Sequence, residues 1–244
     1  MKKLIYILFV FALLACENDS NSSNEAVSDV GQGGSLATFT ILNDYLYTVD
    51  NRSLNVFNIS TKTNPVLVNR VPIGFNIETL VSYKDFLYIG SRNGMFIYET
   101  SNPESPKQLS AVQHFTACDP VIANDTHAFV TLDTSAGCGN TISALQIYDV
   151  KDVTKPVLIS QRNLIAPKGL GLYGSYLFVC DDEVKVFDIS DPENSKLAHS
   201  IDISAFDVII QNNHLIAVGD NQLNQYALDT NDIKNTPLLS NISI

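Results

Sequence analysis

Residues 176–195 read Tyr-Leu-Phe-Val-Cys-Asp-Asp-Glu-Val-Lys-Val-Phe-Asp-Ile-Ser-Asp-Pro-Glu-Asn-Ser. Two short runs of β-branched and aromatic residues flank an acidic turn, and an Asp-Pro loop stops the second run. That is the pattern of a β-hairpin followed by a breaker. The same pattern is written four more times. Tyr45, Phe86, His127, Tyr176 and His214 open the first run of each copy, and Phe57, Tyr98, Tyr148, Phe187 and Tyr226 stand near the end of the second.

The opening residues recur at intervals of 41, 41, 49 and 38 residues. A period near 40 belongs to β-propellers and solenoids. The second copy holds four strand-like runs, 79–83, 86–91, 95–98 and 107–113. Its turns are Tyr83-Lys84-Asp85-Phe86, Arg92-Asn93-Gly94 and Asn102-Pro103-Glu104-Ser105-Pro106. Four antiparallel strands per period make a propeller blade, and no amphipathic helix is found beyond the leader. The expected fold is all-β, a five-bladed β-propeller of four-stranded blades. Ring closure is expected either from blade-to-blade packing alone or from residues 27–36 adding to the last blade.

The core of each copy resembles the LVIVD-repeat family. The matching stretches are Leu54-Asn55-Val56-Phe57-Asn58, Met95-Phe96-Ile97-Tyr98-Glu99, Leu145-Gln146-Ile147-Tyr148-Asp149 and Val184-Lys185-Val186-Phe187-Asp188. Leu223-Asn224-Gln225-Tyr226-Ala227 is the fifth and departs from the pattern. The family's trailing Ser-Asp-Pro-x-Asn-Pro appears as Ser190-Asp191-Pro192-Glu193-Asn194-Ser195 and recurs loosely around Pro65, Pro106, Pro156 and Pro237. The resemblance spans 36–244. It implies a propeller in a commonly exported or lipid-anchored protein, and it implies no reaction and no catalytic residues.

Residues 1–15 place Lys2-Lys3 before an apolar run through Leu14, which is a signal peptide too short for a comfortable membrane span. Leu13-Leu14-Ala15-Cys16 resembles the lipobox of bacterial lipoproteins, which implies acylation of Cys16. Residues 16–35 are rich in Asn, Ser and acidic side chains and read as a flexible tether. Gly31-Gln32-Gly33-Gly34 precedes a strand rather than a helix, so it is a loop and not a phosphate cradle. The folded domain is expected over 36–244. The expected location is the cell envelope, on the outer membrane, facing the periplasm or the surface.

The formal charge of −11 becomes −13 once Lys2 and Lys3 are removed. That balance repels phosphate backbones, so nucleic acid is not an expected partner. Of the four histidines, His114, His127, His199 and His214, none is paired at metal-ligand spacing. No nucleophile motif appears, so a hydrolase has no named machinery.

The residues leading into the first strand of each copy are Thr38, Glu78, Asp119, Lys168 and Asp207, with Phe75 and Phe206 nearby. Innermost propeller strands line the axis, so these residues meet at one mouth. Glu78, Asp119, Lys168 and Asp207 are candidates there for a cation such as calcium or for a polar ligand. The alternative is a set of solvated loop charges. Cys118 and Cys138 fall in the third copy, stretched by a Gly-rich insertion over 133–143. Without CxxC spacing and in an oxidising compartment, a disulfide between them is expected rather than a metal site. Cys180, mid-strand, is expected to be a buried hydrophobe. The chain reads as a lipid-anchored envelope module that binds a protein or ligand, with no catalysis evident. A cation-dependent sugar or small-molecule binder, or an enzyme using the axial mouth, is the competing reading.

Overall fold

A computed structural model describes residues 34–113, 120–133 and 143–244. It is built of five four-stranded antiparallel sheets, each a meander whose spatial order follows the chain. Blade one is β1 (Phe39–Leu42), β2 (Tyr45–Val49), β3 (Ser53–Asn58) and β4 (Val66–Pro72). Blade two is β5 (Ile77–Tyr83), β6 (Phe86–Ser91), β7 (Gly94–Glu99) and β8 (Lys107–Gln113). Blade three is β9 (Val121–Ala123), β10 (His127–Leu132), β11 (Ala144–Asp149) and β12 (Val157–Asn163). Blade four is β13 (Leu170–Tyr173), β14 (Tyr176–Cys180), β15 (Val184–Asp188) and β16 (Lys196–Ile201). Blade five is β17 (Asp207–Gln211), β18 (His214–Val218), β19 (Gln222–Ala227) and β20 (Leu238–Ser243). The expected five-bladed propeller is the fold. Its innermost strands follow one another around the axis in chain order, β1 against β5, β5 against β9, β9 against β13 and β13 against β17.

The repeated aromatics have structural jobs. Each residue that opens a first run is the first residue of its blade's second strand. The aromatic near the end of the second run marks a shift of register between third and fourth strands, at Phe57, Tyr98, Tyr148, Phe187 and Tyr226 alike. A bulge there increases the local twist of the strand pair. The Asx residue that ends the third strand then turns the chain. Asn58, Asp149 and Asp188 each accept the backbone N–H two residues on. In blade four, Asp191 accepts from the Asn194 N–H and closes one turn of 3₁₀ helix, Pro192–Asn194.

Alternation in the strands decides which blade each side chain meets. In the second strand, the side chain one residue past the opening aromatic faces the preceding blade, and the next faces the following one. Leu177 packs with Phe129 and Leu145 of blade three, whereas Phe178 packs with Val208 and Ala217 of blade five. Among the described residues, four apolar clusters fill the interfaces one–two, two–three, three–four and four–five.

The fifth interface differs. Tyr47, Tyr88, Phe129 and Phe178 face the following blade and are at most 1% exposed. Their counterpart in blade five, Ile216, is only half-buried. Leu87, Ala128, Leu177 and Leu215 face the preceding blade and are fully buried, but Leu46 of blade one is half-buried. The ring is thus tightly packed at four joints and loose at the fifth, a seam between blades five and one.

Residues Gly34 and Ser35, at the end of the expected tether, are buried. The folded region therefore takes in two residues ahead of the expected start at 36, because Ser35 reaches into the axis. The remainder of the tether and the leader, 1–33, lie outside the described residues.

Candidate functional site

The mouth where the innermost strands begin is more closed than its charges suggest. Asp207, the first residue of β17, is 9% exposed. Its Oδ1 accepts from the Val208 N–H at 2.9 Å and from the Ser35 hydroxyl at 3.3 Å. The Leu36 and Ser35 backbone N–H groups also donate to this carboxylate. Ser35 Oγ in turn accepts the Leu170 N–H of blade four at 2.6 Å, and the Gly169 N–H donates to the Phe206 carbonyl. One side chain thus joins the incoming chain to blades four and five beside the seam. Gly34 and Gly169 flank the carboxylate so closely that a Cβ on either would overlap it. Burial pushes the Asp207 carboxyl up to about 6, against the opposing pull of these four donors.

The other expected mouth residues do not join Asp207. Glu78 receives the Arg92 Nε–H at 2.6 Å from the turn between β6 and β7 of its own blade. Lys168 and Thr38 are exposed. Phe75 is 63% exposed beneath the Arg52 guanidinium, which lies 4.9 Å from its ring centre. Asp119 lies outside the described residues, as do Cys16, Cys118, Cys138 and His114. Among the described residues, no group of three or more His, Cys, Asp or Glu side chains gathers as a metal site.

The remaining singled-out residues are structural. Cys180 is fully buried, and burial raises its thiol well above the ordinary range. The His127 imidazole is held below its usual value by burial, with Nδ1 2.8 Å from the Thr126 hydroxyl. His199 Nε2 lies 3.4 Å from the Thr236 hydroxyl.

Beyond the Asp207 clasp runs a cavity of about 480 Å³ to which every innermost strand contributes. Phe39 of β1, Val81 of β5, Ile122 of β9, Leu172 of β13 and Ile209 of β17 are its less buried apolar walls. It extends from Gly34 to Lys84 and Asn124, in the turns that leave β5 and β9. Its polar features are few. Thr40 and Ser82 hydroxyls pair with each other at 2.8 Å. Asn124 Oδ1 accepts the Thr126 and His127 N–H groups, and Lys84 is ion-paired with Asp125.

Sequence reasoning places a site at the axial mouth but not these apolar walls, because the innermost strands of a propeller look like any half-buried strand. Consecutive apolar residues in Leu80-Val81, Ile122-Ala123 and Val208-Ile209-Ile210, rather than alternation, carry the signal. It missed the clasp because Ser35 and Asp207 lie 172 residues apart.

The repeat pattern matches a family model described as LVIVD repeat, over residues 33–72, 79–113 and 168–203. These three segments of the chain match the LVIVD repeat. The three matches fall on blades one, two and four, and the same strand plan continues through blades three and five. No curated protein matches the sequence.

Among solved structures, a protein from Lactobacillus plantarum is similar with a TM-score of 0.67 and 14% identity, covering 82% of this chain and 69% of that one. A functionally unknown protein from Desulfotomaculum acetoxidans gives 0.52 and 11%, over 83% and 80% of the two chains. Kluyveromyces lactis Hsv2 gives 0.52 and 9%, over 82% of this chain and 59% of that one. At such identities these likenesses concern the fold alone.

Proposed function

We propose that this LVIVD-repeat propeller is a lipid-anchored binding module of the cell envelope. The observation that carries the reading is the open axial cavity, a concave and mostly apolar space built from all five blades. Anchoring is supported by the apolar leader and Leu13-Leu14-Ala15-Cys16, and residues 17–33 supply the spacer to the membrane. Because one acyl chain holds only marginally, stable attachment needs more than one.

Changing Cys16 to Ser is expected to move the protein from the membrane to the soluble fraction; retention on membranes after a high-salt wash would contradict the anchor. The binding role is tested by affinity purification of the solubilised lipoprotein from its own membranes. Co-purifying proteins and extracted small molecules are then identified. Stoichiometric recovery of one of them supports the reading, and recovery of the lipoprotein alone counts against it.

A Cys118–Cys138 disulfide belongs to the same proposal. It closes a loop in the elongated third repeat and stabilises by roughly 3 kcal/mol on the chain-entropy account. Non-reducing peptide mapping of envelope-isolated protein is expected to find the two peptides linked; free thiols at both positions would contradict it.

A further inference from the structure

We propose that the axial cavity binds a compact, uncharged, largely apolar molecule, admitted through the seam between blades five and one. The proposal deepens the binding-module reading and rests on it.

The size of the space sets the first limit. About 480 Å³ falls in the range of sites for small organic ligands, roughly 300–1,000 Å³, and is too small for a folded partner. The walls set the second. Phe39, Val81, Ile122, Leu172 and Ile209 present carbon from every blade. Of the charged groups nearest the two ends, Lys168 stands exposed in solvent at the mouth and the others are paired or hydrogen-bonded. Lys84 is paired with Asp125, Glu78 with Arg92, and the Asp207 carboxylate accepts from Ser35, Leu36 and Val208. A charged ligand drawn inside would surrender its hydration against a lining whose one charged residue among those described, Lys84, is already paired.

A sugar fares little better. Among the described lining residues its many hydroxyls would face the Thr40–Ser82 pair along the wall and the Asn124 amide at one end, and each one left unpaired costs about 1–3 kcal/mol. One alcohol, ether or ketone oxygen is the polar content this wall can match, by drawing one hydroxyl of that pair toward itself.

The route follows from the ring. Phe39 and Ile209 line the cavity and also stand on the two blade faces that meet at the seam. Behind them, Leu46 and Ile216 are half-buried where the corresponding side chains of the other joints are sealed. Phe39 itself is 55% exposed. The apolar lining therefore continues from the axis outward between two blades, with the Asp207 clasp at the inner end tying the chain that enters β1 to blades four and five.

The test uses the mature chain from residue 16, carrying Cys16→Ser so that no acyl chain competes, and the neutral fluorophore N-phenyl-1-naphthylamine as probe. Saturable binding of one probe per chain is expected. The double variant Val81→Phe with Ile122→Phe fills the axis and should weaken binding at least tenfold. Leu197→Ser, which removes an exposed apolar side chain on the outer strand β16, should leave it unchanged. If the double variant does not fold, Val81→Phe alone gives the same reading with a smaller loss. No saturable binding, equal binding by the filled variant, or loss with Leu197→Ser would each overturn the proposal. A partner recovered from membranes together with an indifferent axis would sink this inference and leave the binding-module reading standing.

Discussion

Replacing Phe178 by Ala is expected to lower stability by about 3–5 kcal/mol, whereas Ile216→Ala at the same place in blade five should cost only about 1 kcal/mol. Both side chains are third in the second strand of their blade and face the following blade. Phe178 is fully buried among Val208, Ala217 and Tyr226, so its removal leaves a cavity that packed strands cannot collapse into. Ile216 stands at the seam and is already half in water, so fewer contacts are lost. Denaturant unfolding of the two variants reads this difference. Equal losses would mean that blades five and one pack like the other pairs, and would remove the lateral route to the axis.

The second large effect concerns the clasp. Asp207→Ala leaves the Ser35 hydroxyl and the Ser35, Leu36 and Val208 N–H groups without their acceptor, a loss of roughly 2–4 kcal/mol at neutral pH. The pH dependence has a definite sign. Burial raises this carboxyl from the ordinary value of 3.8 to about 6 in the folded protein. Between those values the folded state holds a proton that the unfolded state has released. The contribution of Asp207 is therefore fully present below about pH 4 and falls as pH rises toward about 6, by a few kcal/mol at most, on the order of 1–4. Subtracting the unfolding free energy of Asp207→Asn from that of the unmodified protein at each pH isolates this group. The difference should shrink from pH 4 to pH 7. A difference that grows over that range would mean the carboxyl is held below its ordinary value, and burial would not be its dominant influence.

The blades were legible because each repeats the same local chemistry. A two-residue turn such as Lys84-Asp85, where Lys84 takes a positive φ of 51°, follows a strand and precedes an aromatic. An Asx-Pro loop then stops the third strand. Phe86 and Tyr176 stand where the strand pattern restarts after such a turn, so no tertiary knowledge is needed to see them. The site was less legible. Glu78 looked like a free mouth carboxylate, yet Arg92 follows the β6 residue that pairs with Ile77, and strand register would have brought the two together. Asp207 stands out in the sequence, but its partner Ser35 looks like tether, because nothing local marks a serine that blades four and five will bury. The seam is a property of the closed ring. Leu46 and Ile216 are as apolar as Leu87 and Leu215, and only the geometry of five blades around one axis sets them apart.

Whether the axis of this propeller takes a ligand is decided by a crystal structure of the mature chain grown with N-phenyl-1-naphthylamine. The probe is expected between Val81, Ile122 and Leu172, with Phe39 and Ile209 at its edge and the Thr40–Ser82 hydroxyls beside it. A probe found only against exposed outer-strand residues such as Leu238 and Leu239, with the axis holding water, would contradict axial binding.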